Sequence, residues 1–135
     1  MIEALAVVVH ACRRVDICVG KKVLVCGAGP IGIMSCLCAK AFGATKVFMT
    51  DIIESRLNLA KKLGADGVYL IDPKNFNAKE AARAIKKEMD GAPEVTIECT
   101  GVESSGQSFT SEIIVKTDYN LTDSVYGYIC DQKWR

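Results

Sequence analysis

One junction constrains this chain more than any other. The apolar run Val23-Leu24-Val25-Cys26 passes directly into Gly27-Ala28-Gly29-Pro30-Ile31-Gly32. Bounded by Lys21-Lys22 on one side and glycine on the other, the run reads as a short buried strand. Residues 30–42 read as a helix, with Met34, Leu37, Cys38 and Ala41 at i, i+3, i+4 and i+7 and Gly43 as its stop. Pro30 falls in the opening turn, where its missing N–H costs nothing. A strand that turns into a helix over so few residues gives each glycine a task. Gly27 allows the tight turn, Gly29 keeps the backbone open to close approach, and Gly32 lets the helix press against the sheet.

The alternation of strand and helix continues on both sides. A helix is expected over 3–14, strands over 46–50 and 68–71, and a helix over 54–63 stopped by Gly64. Asp72-Pro73 makes a turn. Asn77 and Glu80 are spaced as a capping box for a helix over 77–90, with Ala78, Ala81, Ala82, Ile85 and Met89 on its apolar face. A fourth strand is expected over 94–99, where Val95, Ile97 and Cys99 alternate. Strands separated by helices argue for a parallel sheet with right-handed crossovers. The fold class is therefore α/β: an incomplete doubly wound (Rossmann) parallel sheet, strand order 3-2-1-4. Residues 1–107 form this partial domain, and 108–135 form an irregular tail with short strands conceivable at 113–115 and 125–129.

The chemistry comes from the same junction. The free N–H groups and dipole at the start of the 30–42 helix favour a phosphate. A lone glycine turn of this type is a weak signal, but a second mark accompanies it: Asp51 ends the second strand, 51 − 32 = 19 residues past Gly32. A carboxylate there can accept from both hydroxyls of an adenosine ribose and would repel a 2′-phosphate. Ile52 and Ile53 offer no adjacent cation, so NAD is favoured over NADP, and Arg56 is within reach of the ribose or adenine. Cys99 and Thr100 end the fourth strand beside the expected crevice. The cofactor-binding candidates are thus Gly27, Gly29, Pro30, Ile31, Gly32, Asp51, Arg56, Cys99 and Thr100. The bland alternatives are a glycine turn that binds nothing, Asp51 as a helix N-cap, Cys99 as a core thiol and Thr100 as a helix cap.

Other residues exclude more than they suggest. The formal net charge is +1, from 17 basic and 16 acidic residues, which gives no hint of nucleic acid or of an anionic membrane. No apolar run approaches the ~18 residues of a membrane span. The apolar stretch 4–12 comes after Glu3 and precedes Arg13-Arg14, the wrong flanks for a signal peptide. Seven cysteines without a CxxC pair suit neither a disulfide framework nor a closed zinc site, and they read as reduced small hydrophobes of a cytoplasmic protein. His10 is the only histidine and is expected to pack on a helix face. Glu98 lies on the strand face opposite Val95 and Ile97, where a carboxylate needs a partner or solvent. No residue is assigned a catalytic or metal-ligating role.

Several segments together resemble the zinc-dependent medium-chain dehydrogenases, most nearly their polyol-oxidising branch. They are 23–32, Asp51 with Arg56-Leu57, Leu63-Gly64-Ala65-Asp66, and Pro93-Glu94-Val95-Thr96-Ile97-Glu98-Cys99-Thr100-Gly101. The resemblance covers about residues 3–107. It implies an NAD-linked, reversible oxidation of a polyol such as sorbitol to a ketose by a cytosolic homo-oligomer. It places Ile31 near the cofactor diphosphate, and Asp51 and Arg56 at the adenosine ribose. It also implies zinc, held by a preceding domain whose Cys, His and Glu ligands this chain lacks, and two further strands where 108–135 bears no likeness. The expectation is an NAD-binding portion that does not oxidise sorbitol alone. The alternatives are a non-catalytic nucleotide-binding module and a truncated product without a function of its own.

Overall fold

The computed structural model describes residues 2–100. The expected tail, its short strands and the 1–107 boundary lie outside the described residues. Helix α1 (Ile2–Arg14) leads into β1 (Lys22–Cys26), and then come α2 (Pro30–Ala41), β2 (Lys46–Asp51), α3 (Glu54–Lys62), β3 (Gly67–Leu70), α4 (Ala78–Glu88) and β4 (Val95–Glu98). The four strands form one sheet in the order β3-β2-β1-β4, and every neighbour is parallel. All eight elements fall within one or two residues of the bounds that sequence periodicity predicts.

Strand alternation sorts the sheet residues to two faces. Val23, Val25, Val47, Met49, Val95 and Ile97 join a core with Val8 and Cys12 of α1, Cys36 and Ala39 of α2, and Leu57 and Ala60 of α3. Leu24, Cys26 and Phe48 face the other way, onto Ala81, Ala82, Ile85 and Met89 beneath α4. Every β1 residue from Val23 to Cys26 is buried, which explains a continuous apolar run rather than an alternating one. Helix α4 starts at the expected N-cap: the Asn77 side chain accepts from Lys79 N at 3.1 Å and Glu80 N at 3.5 Å, the Asn77 half of a capping box.

Two expectations are corrected. Helix α2 does not bury Met34, Leu37 and Ala41. Its buried residues are Gly32, Ser35, Cys36, Cys38 and Ala39, while Leu37 is 44% exposed. The helix lies close to the sheet, so the inward positions take small residues and bulk is left for the flanks. His10 is exposed rather than packed; α1 buries Val8, Ala11 and Cys12 instead.

The described cysteines are free thiols. Burial pushes the Cys12 and Cys36 thiols up to about 11, as expected of protonated core residues. Outside the helices, Asp66 ties α2 to β2: it accepts from Val47 N at 2.7 Å and pairs with Lys40 at 2.6 Å.

Ile85 is wholly buried at the centre of the α4 face. Ile85→Ala is expected to remove about 2–5 kcal/mol of stability, measured by urea unfolding. A loss under about 1 kcal/mol would show that α4 is not seated on the sheet as described.

Candidate functional site

The C-terminal ends of parallel strands all open on one edge of a sheet, where ligands of doubly wound folds collect. Here that edge holds a cleft of about 400 Å³, lined by residues at the ends of β1, β2 and β4 and by the segments that follow β1, β2, β3 and β4. Its volume is within the range of small-molecule sites.

The glycine turn forms one wall. Gly27 has φ +103°, and a Cβ there would stand 2.9 Å from the Cys99 carbonyl, so both conformation and space demand glycine. Its N–H donates to Thr50 O at 2.7 Å. Gly32 has a different reason: a Cβ would fall 1.8 Å from Gly27 O. That contact holds α2 against the end of β1. Gly29 is the N-cap of α2, with Pro30 at the first helical position, and a Cβ on Gly29 would meet nothing within 4 Å. The helix start is thus open to an approaching group.

Asp51 forms the second wall. It is 7% exposed at the end of β2. Its Oδ2 accepts from Ala28 N at 2.7 Å and its Oδ1 from Ile53 N at 2.9 Å. The N-cap of α3 is Ile53, so Asp51 steers the chain into that helix from two residues before its cap. Arg56 Nη1 stands 4.0 Å from Oδ2, at the exposed mouth. At that distance and exposure the pair adds little to stability.

β4 supplies the floor. Cys26 is in register with Thr50 on one side and Glu98 on the other, so these three side chains share one face at the strand ends. Glu98 is 5% exposed. Its Oε1 accepts from Thr100 N at 2.8 Å and from the Thr100 hydroxyl, curling the chain back after β4. Burial raises its pKa above the usual 4.5, against the opposing hydrogen bonds from Thr100. Burial, and then the nearby Glu98 charge, push the Cys26 thiol well up, so it is a poor nucleophile; the neighbouring Thr50 hydroxyl opposes this without reversing it. Cys99 turns to the other face, its Sγ 3.8 Å from Ser35 Oγ.

Of the residues singled out from sequence, Gly27, Gly29, Asp51, Arg56, Cys99 and Thr100 line the cleft together. Pro30, Ile31 and Gly32 stand in the first turn of α2 and do not line it; the Ile31 side chain packs against the core. The cleft also takes in Cys26, Thr50, Ile52, Ile71, Phe76 and Glu98. Thr50 and Cys26 are legible in principle, because parallel register places them beside Glu98. Phe76 and Ile71 come after β3, where no sequence mark points. Among the described residues, no group of three His, Cys, Asp or Glu is placed to hold a metal ion, and no helix is long and apolar enough to cross a membrane.

The chain has clear relatives among known proteins. Residues 30–111 match the family model of zinc-binding dehydrogenases. Sorbitol dehydrogenase of Bos taurus is 51% identical over 108 residues, covering 80% of this chain and 30% of that one. The Homo sapiens sorbitol dehydrogenase is 50% identical over the same shares. The chain therefore spans about 30% of the length of the relatives it matches. Among solved structures, galactitol-1-phosphate dehydrogenase from Escherichia coli superposes with a TM-score of 0.70 at 27% identity, over 96% of this chain and 39% of that one. An alcohol dehydrogenase from Thermus sp. ATN1 gives 0.65 at 28%, over 81% and 30%.

The raised Glu98 pKa has a sign. Above pH 4.5 an unfolded Glu98 ionises before the folded one, so its contribution to stability falls as pH rises through the folded value. Glu98→Gln cannot ionise there. Its thermal midpoint is expected to gain on the parent as pH rises above the usual carboxylate range, followed by circular dichroism. A difference that does not change with pH would contradict the burial of this carboxylate.

Proposed function

The chain belongs to the zinc-binding dehydrogenase family, and we propose that within it these residues bind NAD. They act as the nucleotide-binding segment of an enzyme that interconverts a polyol and a ketose. The observation that carries the reading is Asp51: a buried carboxylate at the end of β2, fixed against the glycine turn and facing a cleft.

The residues fit the group. The start of α2 supplies free N–H groups, with Gly29 leaving the space in front of them clear. That is the place for the pyrophosphate. Asp51 keeps lone pairs beyond those used by Ala28 and Ile53, and a carboxylate accepts from two ribose hydroxyls. Arg56 at the mouth balances its charge, and Ile52, Ile71 and Phe76 offer apolar surface to a base. The dinucleotide, when bound, would supply the hydride acceptor for oxidation of an alcohol. The described residues would hold and orient it; among them no group of three His, Cys, Asp or Glu is placed to hold a metal ion. The likeness to sorbitol dehydrogenases at about half identity supports a polyol as the substrate class. The same likeness supports zinc as the metal of the whole enzyme, homo-oligomeric assembly and a cytoplasmic setting.

Calorimetric titration tests this. NAD is expected to bind, and NADP to bind more weakly, because a 2′-phosphate would approach Asp51. Asp51→Asn is expected to weaken NAD about tenfold and to narrow the preference. Tighter binding of NADP by the parent would remove the role given to Asp51, and silence with both nucleotides would remove the reading itself.

A further inference from the structure

Two side-chain atoms among the described residues are fully buried without a hydrogen-bond partner: Thr50 Oγ1 and Glu98 Oε2. Both residues line the cleft, and both flank Cys26, on β2 and β4 respectively. They are 1% and 5% exposed. The Cys26 thiol interacts with the Thr50 hydroxyl, but sulfur is only a weak hydrogen-bonding group, and the contact leaves Thr50 Oγ1 without a partner of normal geometry and Glu98 Oε2 with none. A buried polar group without a partner destabilises the fold that contains it. At Thr50 the alternative is simple, since valine has nearly the same shape and lacks the hydroxyl. At Glu98 only Oε1 has a structural task, the turn at Thr100. Both groups therefore hold polarity that the fold does not use, at the floor of a cavity a ligand can enter.

The chemistry of that ligand is bounded by the charges around it. Glu98 and Asp51 are carboxylates, and the nearby cation, Arg56, is at the mouth beside Asp51. An anion at the floor would be repelled. A carboxylate oxygen can only accept, and a hydroxyl can accept or donate. The floor thus suits a hydrogen-bond donor, and at the base end of a nucleotide that donor is neutral.

We propose that Thr50 Oγ1 and Glu98 Oε2 form a recognition pair that engages a neutral donor beneath the bound nucleotide. Two sources have that chemistry: the exocyclic amine of the base, and an ordered water carried under the nucleotide. The inference rests on the reading of the cleft as an NAD site, and it adds two residues that the glycine turn and Asp51 do not predict. It also gives Thr50 a signature that a purely structural residue would not show. Its hydroxyl costs stability when the cleft is empty and contributes affinity when it is filled, so one substitution should move the two quantities in opposite directions.

The test uses the 135-residue chain, its Thr50→Val and Glu98→Gln variants, NAD, and the deaminated analogue with hypoxanthine in place of adenine. Without nucleotide, Thr50→Val is expected to melt at a higher temperature than the parent. In calorimetry it should nevertheless bind NAD about three- to tenfold more weakly, and Glu98→Gln should also bind more weakly. If the base amine is the donor, the parent prefers NAD to the deaminated analogue and Glu98→Gln loses that preference. If water is the donor, the parent binds both alike and each variant weakens both equally. Parent-like affinity for NAD in both variants would overturn the pair while leaving the nucleotide reading intact. No binding by the parent would overturn both.

Discussion

The contact on which the structure depends is the one between residue 32 and the carbonyl of Gly27. Nothing larger than hydrogen fits there, since a Cβ would stand 1.8 Å from the oxygen. Because the start of α2 is pinned so close to the end of β1, the helix lies low on the sheet. Its inward residues are then Ser35, Cys36 and Ala39 rather than leucines. Helix α1 packs against α2, with Val8 and Cys12 joining the same core. The close approach also fixes where the N–H groups of the first helical turn of α2 point. One missing methyl group therefore sets the packing of α2 and the position of the site.

Legibility in the sequence divides along physical lines. Strands β1 to β4 and helices α1 to α4 are readable because burial imposes a period and glycine marks most of the stops. The order 3-2-1-4 is that of the doubly wound dinucleotide-binding sheet, whose glycine turn and strand-end acid the sequence carries. Periodicity misplaces the buried face of α2 because it reports apolar residues and not their distance from a neighbour. At close approach, size outweighs hydrophobicity, and Leu37 is left outside. His10 is misplaced for a related reason: α1 has apolar residues on most sides, so no sequence signal marks which face meets α2.

The site divides in the same way. Gly27, Gly29 and Asp51 carry local marks, since each performs its task within a turn or at a strand end. The floor made by Cys26, Thr50 and Glu98 carries no mark as a unit, because it exists only once three strands lie side by side. Glu98 stands out in the sequence as a carboxylate needing a partner, and half of that need is met by Thr100 two residues later. The unmet half is visible only in three dimensions.

The grip on Asp51 bears on the timing of recognition. Both its oxygens are already engaged, by Ala28 N and Ile53 N, before any ligand arrives. The side chain has no rotamer search left to make, so little ordering entropy is spent on capture. Under the proposed NAD reading, a nucleotide would meet this carboxylate already in its final pose, and telling a ribose hydroxyl from a phosphate would need no later rearrangement that closes around one and expels the other.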